Sequence, residues 1–210
     1  MTSRYAEDLD ALVESTLEMG HLAVDLARDG EKVLLGTGTR EGVAEKYERL
    51  RRMDEDIESD ALRILILYQP MSKDMRLVAS ILKMLTYFER IGNYGNKLAM
   101  LASTDCGNCA ADLREMANIS VSMVIDAIKA FDARDSSKMR EFRKRDDRVD
   151  ELQASISKKI TNALPKSVQE SATMMDCLMG ARFLERMGDH ACKVAEKVIY
   201  AVEGKKVRID

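Results

Sequence analysis

The chain contains no tryptophan, only two prolines in 210 residues and only 5% aromatic residues. With helix breakers this scarce, 33% charged residues and an apolar remainder mostly of Leu, Ala, Met, Ile and Val, the composition favours an all-α protein with polar outer faces. An excess of basic charge is also absent: 33 Lys and Arg stand against 36 Asp and Glu, a net charge of −3, with the signs interspersed. That excludes the basic stripe of a nucleic-acid surface. No apolar run reaches the ~18 residues of a membrane span, and no charged leader precedes an apolar segment and a small-residue cleavage site. The expectation is a soluble, cytoplasmic protein that reaches a membrane only through a partner, without direct insertion. Two histidines offer little basis for nucleophile-base catalysis.

Cysteine is scarce as well, at four residues. Cys106-Gly-Asn-Cys109 is a C-x-x-C, but one pair supplies two ligands where a structural zinc takes four. Cys177 and Cys192 on one helix lie ~22 Å apart, too far to share a metal or a disulfide. The pair reads as part of a linker, with a redox or single-pair metal role as the alternative.

What the chain does have is a repeat. Glu89-Arg-Ile-Gly-Asn-Tyr-Gly-Asn-Lys-Leu-Ala99 returns as Glu185-Arg-Met-Gly-Asp-His-Ala-Cys-Lys-Val-Ala195, 185 − 89 = 96 residues later. Two copies half a chain apart indicate a duplicated unit. The periodicity agrees. A helix is expected over about residues 4–29, ending at Asp29-Gly30, then a turn at Gly36–Gly42 whose G-x-G-x-x-x-G spacing matches no nucleotide-binding fingerprint. A second helix runs from about Glu41 to Tyr68 and stops at Pro70. A third, capped by Ser72, continues to about Ala102. The second half repeats the plan with helices over about 109–132, 137–163 (ended by Pro165) and, from a Ser167–Glu170 capping box, to Glu203 before Gly204 and a basic tail. The boundaries expected are a first three-helix repeat over 1–103, a linker over 104–109 and a second repeat over 110–210, forming two tandem antiparallel three-helix bundles.

Glu185 and Asp189 are four residues apart, which puts both carboxylates on one helix face. Gly188 and its equivalent Gly92 sit in mid-helix at about 1 kcal/mol each relative to Ala, so a neighbouring helix is expected to approach closely. The preceding helices carry Asp146-Asp-Arg-Val-Asp150 and, 146 − 54 = 92 residues earlier, Asp54-Glu-Asp-Ile-Glu58, of the same D-x-x-(I/V)-(D/E) form. Facing pairs would make a cluster of up to four carboxylates in each half. Such a cluster suits a multivalent cation: oxygen donors favour Mg, Ca, Mn or Fe, and zinc is compatible. The competing explanation is a solvated acidic face with Arg90, Arg148 or Arg186 in weak surface pairs.

The two E-R-x-G-(D/N) motifs, each following a D-x-x-(I/V)-(D/E) helix, together with Gln69-Pro-Met-Ser-Lys-Asp-Met-Arg-Leu77, resemble the PhoU family of phosphate-uptake regulators over essentially the whole chain. The resemblance implies a duplicated all-α fold and a non-enzymatic negative regulator of phosphate-starvation signalling. It implies partners in a membrane phosphate transporter and a histidine kinase, and leaves a homodimer open. It also implies iron or zinc clusters, with Asp146, Asp150, Glu185 and Asp189 as one ligand set and Asp54, Glu58 and Glu89 as the other. Asn93 departs from the family's usual Asp; it keeps one oxygen ligand but loses a charge, so the first site is expected to be the weaker.

Two other functions compete. A ferritin-like di-iron enzyme needs Glu-x-x-His twice, and only Glu18-Met-Gly-His21 supplies it, since His190 is preceded by Met187 at that spacing. A helical scaffold, or an accessory protein of another ion transporter, would need no metal at all.

Overall fold

The computed structural model describes residues 3–101, 107–163, 165 and 167–209, and every regular element among them is helical. The helices are α1 (Ser3–Leu34), α2 (Val43–Tyr68), α3 (Ser72–Met100), α4 (Ala110–Asp132), α5 (Phe142–Thr161) and α6 (Val168–Glu203). Short 3-10 turns at Gly107–Cys109 and Met139–Glu141 lead into α4 and α5. Helices α1 to α3 pack on one another, as do α4 to α6; α3 also lies against α6 and α1 against α4, so the two bundles share one apolar core. Cys109 is buried, while Cys106 lies outside the described residues.

Sequence signals place most of the ends. Gln69, in the left-handed region at φ 46°, closes α2 directly before Pro70. The Ser167 hydroxyl accepts the Glu170 N–H at 3.1 Å to open α6, and Gly204 at φ 73° ends it. The expected stripes are inside: Leu113, Met116, Met123, Ile128 and Phe131 of α4 and Leu184, Met187, Val194 and Val198 of α6 are all buried.

Three expectations are corrected. Ser72 does not cap α3; the N-cap position is Met71, without a side-chain bond, and Ser72 itself has φ 52°. The helix expected from residue 137 begins regularly only at Phe142, because the chain first makes the Met139–Glu141 3-10 turn. Helix α1 does not stop at Gly30 but runs on to Leu34. The reason is tertiary. A Cβ on Gly30 would overlap the Gly95 carbonyl, and one on Gly95 would overlap the Leu26 carbonyl, so α1 and α3 touch backbone to backbone. Burial along this contact outweighs the local weakness of a mid-helix glycine.

The contact between the bundles is aromatic. The His190 ring of α6 lies between Tyr87 and Tyr94 of α3, with centroids 5.9 and 5.8 Å away and interplanar angles of 22° and 16°. Phe183 stacks on Tyr94 at 5.8 Å, and the Lys97 ammonium lies over both rings. His190 is thus an interface residue. Burial, and then the positive charges of Arg90, Arg186 and Lys193, push its pKa down to about 4. Its buried Nδ1 has no hydrogen-bond partner.

Gly95→Ala should lower the unfolding free energy by about 2–3 kcal/mol despite the better helix propensity of Ala. Gly42→Ala, at φ 75° with open space around it, should lose only about 1–2 kcal/mol. Urea denaturation measures both, and a smaller loss at Gly95 than at Gly42 would contradict the backbone contact. His190 gives a pH signature. The unfolded imidazole takes a proton near 6.5 and the folded one only near 4, so its contribution is complete above 6.5 and is lost as pH falls between those values. With a chelator present, acidification from pH 7 to about 4.5 should destabilise wild type by about 1–2 kcal/mol more than His190→Phe. A difference independent of pH would contradict the burial of His190.

Candidate metal-binding faces

In the second half, Glu185 and Asp189 lie one turn apart on α6 with Arg186 between them, its Nε 3.5 Å from Glu185 Oε2 and its Nη1 3.3 Å from Asp189 Oδ2. Glu185 Oε2 is buried and accepts no hydrogen bond. Partial burial raises the Glu185 pKa, and the neighbouring charges of Asp189 and, across from α5, Asp150 add to the rise. Asp150 is itself raised, by partial burial and then by Asp147. Asp146 takes a different position. It is 8% exposed, and its Oδ1 would lie 3.2 Å from a Cβ on Gly188. The missing side chain at Gly188 therefore admits Asp146 to the α5–α6 crossing. Ser120 of α4 closes the same place, donating its hydroxyl to the Leu184 carbonyl at 3.0 Å.

The first half is built differently. Asp54 of α2 is half-buried; burial raises its pKa, followed by Glu89 of α3 and then Glu58 on its own helix. Glu89 Oε1 accepts a 2.6 Å hydrogen bond from the Tyr47 hydroxyl. Burial and that bond push the Tyr47 pKa up to about 12, so it stays a donor at neutral pH. Arg90 Nε stands 3.8 Å from Glu89 Oε2. Glu58 is exposed and Asn93 half-buried, one turn beyond Glu89. Here the glycine admits no acid: a Cβ on Gly92 would strike Leu50 of α2 and Leu26 of α1.

The glycines thus fix a register that the acidic motifs hide. Aligning the D-x-x-(I/V)-(D/E) segments pairs Asp54 with Asp146 at a separation of 92, yet the residues facing Gly92 and Gly188 are Leu50 and Asp146, 96 apart. The same separation relates Glu89 to Glu185 and Asp54 to Asp150. At this level Asp150 is the counterpart of Asp54, and Asp146 replaces a leucine. Among the described residues no three His, Cys, Asp or Glu side chains stand close enough together to hold a metal ion as they are oriented. The structure brings Glu185, Asp189 and Asp150 into one electrostatic neighbourhood and Asp54, Glu58 and Glu89 into another, and keeps Asp146 inside the helix crossing. Tyr47 is the neighbour of Glu89 that motif spacing missed. It lies seven residues before Asp54 on the same face of α2, a helical spacing that could have marked it.

A cation fits the second face in two respects. All its donors are carboxylate oxygens, suited to hard ions, and the orphaned Glu185 oxygen already has a positive group beside it, the Arg186 guanidinium bridging toward Asp189. A metal there would take the place of that guanidinium.

Comparison with known proteins agrees with this duplicated architecture. The PhoU domain model matches the chain twice, over residues 11–102 and 113–198. A protein of a Burkholderia species named phosphate-specific transport system accessory protein PhoU homolog is 27% identical over 217 residues, covering 99% of this chain and 92% of its own. A Deinococcus radiodurans protein of the same name is 31% identical over 157 residues, covering 73% of this chain and 74% of its own. The crystal structure of PhoU from Pseudomonas aeruginosa superposes with a TM-score of 0.88 at 26% identity, covering 96% of this chain and all of that one, 100%. With the family's domain matched in both halves and its fold shared end to end, the chain belongs to the PhoU domain family.

Proposed function

We propose that this chain is a non-catalytic, cytoplasmic accessory regulator of phosphate transport, docking on a membrane phosphate transporter and communicating with its sensor kinase. The observation that carries the proposal is the double family match over most of the chain, joined to relatives named as accessory proteins of the phosphate-specific transport system. An accessory role also fits the absence, among the described residues, of any helix long and apolar enough to cross a membrane, since such a protein meets the membrane through its partner.

The α2–α3 turn supports a docking role. Leu62, Ile66 and Leu67 at the end of α2 and Met71 and Met75 at the start of α3 are exposed, Ile66 by 73% and Met71 by 80%. Large apolar side chains gathered at one end of a bundle suit a protein interface, and the relatives' names supply the occupant, the transporter. Behind the turn, Tyr5 donates to Asp74 at 3.1 Å and Arg76 lies against Gly204, so the Gln69–Leu77 segment is anchored to both α1 and the end of α6.

The acidic faces are the second part of the proposal. Asp150, Glu185 and Asp189 would hold metal more strongly than Asp54, Glu58, Glu89 and Asn93, because Tyr47 already satisfies Glu89 while Glu185 Oε2 has no donor. Bound metal would neutralise a face of like charges and fix α5 against α6. One observation favours a metal-free accessory protein instead: Arg186 already partly neutralises Glu185 and Asp189.

In a strain lacking its own copy of this protein, wild type should restore repression of phosphate uptake in phosphate-rich medium, and Asp189→Ala should lose most of that control. Full control by Asp189→Ala would remove the acidic face from the mechanism. Ile66→Asp combined with Met71→Asp should leave stability within about 0.5 kcal/mol yet reduce co-purification with transporter-containing membranes about tenfold. Unchanged recovery would place the transporter contact elsewhere.

A further inference from the structure

The basic tail after α6 is folded back. Gly204 reverses the chain at φ 73°, and the following residues run back until Ile209 is buried at 4% exposure and its N–H donates to Glu196 Oε1 at 3.1 Å. Glu196 is itself buried, and Lys193 Nζ pairs with the same oxygen at 3.2 Å. The tail is therefore held by a hydrogen bond inside the protein.

This return encloses a concavity of about 540 Å³ between α3, α6 and the tail, into which Lys83, Lys197, Tyr200, Lys206 and Arg208 converge. Among the described residues Glu196 is the only carboxylate in the lining, and it is already taken by Lys193 and the Ile209 N–H. Among the described residues, no carboxylate lies in ion-pair range of the four lining cations. A protein with a net charge of −3 thus gathers into one hollow, from three separate segments, four positive charges that have no acidic partner among the described residues. Other surface cations do stand beside acids, Lys159 with Asp112 and Arg140 with Glu203. Four cations in a concave site repel one another and raise the local potential toward anions. A flat solvated face would spread them apart.

We infer that the hollow between α3, α6 and the returning tail binds a small oligophosphate anion. Its volume lies in the range of small-molecule sites, about 300–1,000 Å³, and exceeds what one tetrahedral oxyanion fills. The donors suit a chain of phosphates: Arg208 can offer a two-pronged contact, the three lysines compact point charges, and the Tyr200 hydroxyl a neutral donor. The site is independent of the acidic faces, since Lys197 is 12 residues beyond Glu185 on α6, about 18 Å along the axis. Metal binding at Glu185 can fail while this site stands.

The test is isothermal titration calorimetry of the full chain with tripolyphosphate, pyrophosphate and orthophosphate, run with EDTA so that metal on the acidic faces does not capture the oligophosphate. Sedimentation with phosphatidylglycerol vesicles runs in parallel, because a lipid headgroup offers the same phosphate chemistry. Saturable binding at one site per chain is expected, tightest for tripolyphosphate. Lys83→Ala combined with Arg208→Ala should weaken it about tenfold or more, and Lys144→Ala, an exposed lysine on α5, should leave it unchanged. No saturable heat with tripolyphosphate would overturn the inference, as would equal losses in the pocket and Lys144→Ala variants. Binding to vesicles that tripolyphosphate fails to compete would also overturn it, assigning the cations to a membrane surface.

Discussion

Backbone contact between helices is the constraint on which the rest of the structure depends. Helix α3 meets α1 where Gly30 and Gly95 leave no room for a methyl group, and the close seat this gives α3 brings its far side onto α6 and fixes the shared core. The same device works one level up. Gly92 admits Leu50 and Gly188 admits Asp146, so the third helix of each bundle is held near its second. Only at that spacing do carboxylates on different helices feel one another, as Asp54 feels Glu89 and Glu185 feels Asp150. Packing therefore sets the electrostatics, and the acidic faces follow from glycines that carry no charge.

From this comes the inequality of the two halves. Duplication supplied equivalent acids, but their surroundings diverged. In the first half a tyrosine hydroxyl satisfies the glutamate and a leucine fills the crossing. In the second a buried aspartate fills the crossing, and the glutamate is left with an unbonded oxygen. Asn93, one charge short, belongs to the half that already has an internal donor. Replacement of the acid and provision of the tyrosine both lower the need for a cation there, which is why the second half is the better candidate for a metal.

Most of the architecture was legible in the sequence, because its signals are local. Pro70, Pro165, Ser167 and Gly204 break or cap helices wherever they stand, and the apolar stripes of α4 and α6 repeat at helical spacing. Illegible features depend on a partner distant in sequence. Gly30 looks like a stop signal, yet it is the contact point for Gly95. The acidic motifs align at 92 residues because they share a pattern, while packing against the glycines follows 96. His190 looks like a surface residue until Tyr87 and Tyr94 of another helix enclose it. The tail reads as a charged terminus, yet it folds back onto the buried Glu196 as a wall of a pocket. Spacing and family resemblance identify the acidic residues of both faces and their two groups; what they miss is that Asp146 turns inward.

We propose that the Glu185–Asp189 face is a cation site and a stronger one than its counterpart at Glu89. Elemental analysis of the purified protein after equilibration with iron or zinc and removal of free metal tests it most directly, comparing wild type with Glu185→Gln, Asp189→Asn and Glu89→Gln. Metal should be retained by wild type and by Glu89→Gln but lost in both α6 variants. Metal-free wild type, or equal retention in all four proteins, would contradict this reading and leave the face to its own arginines.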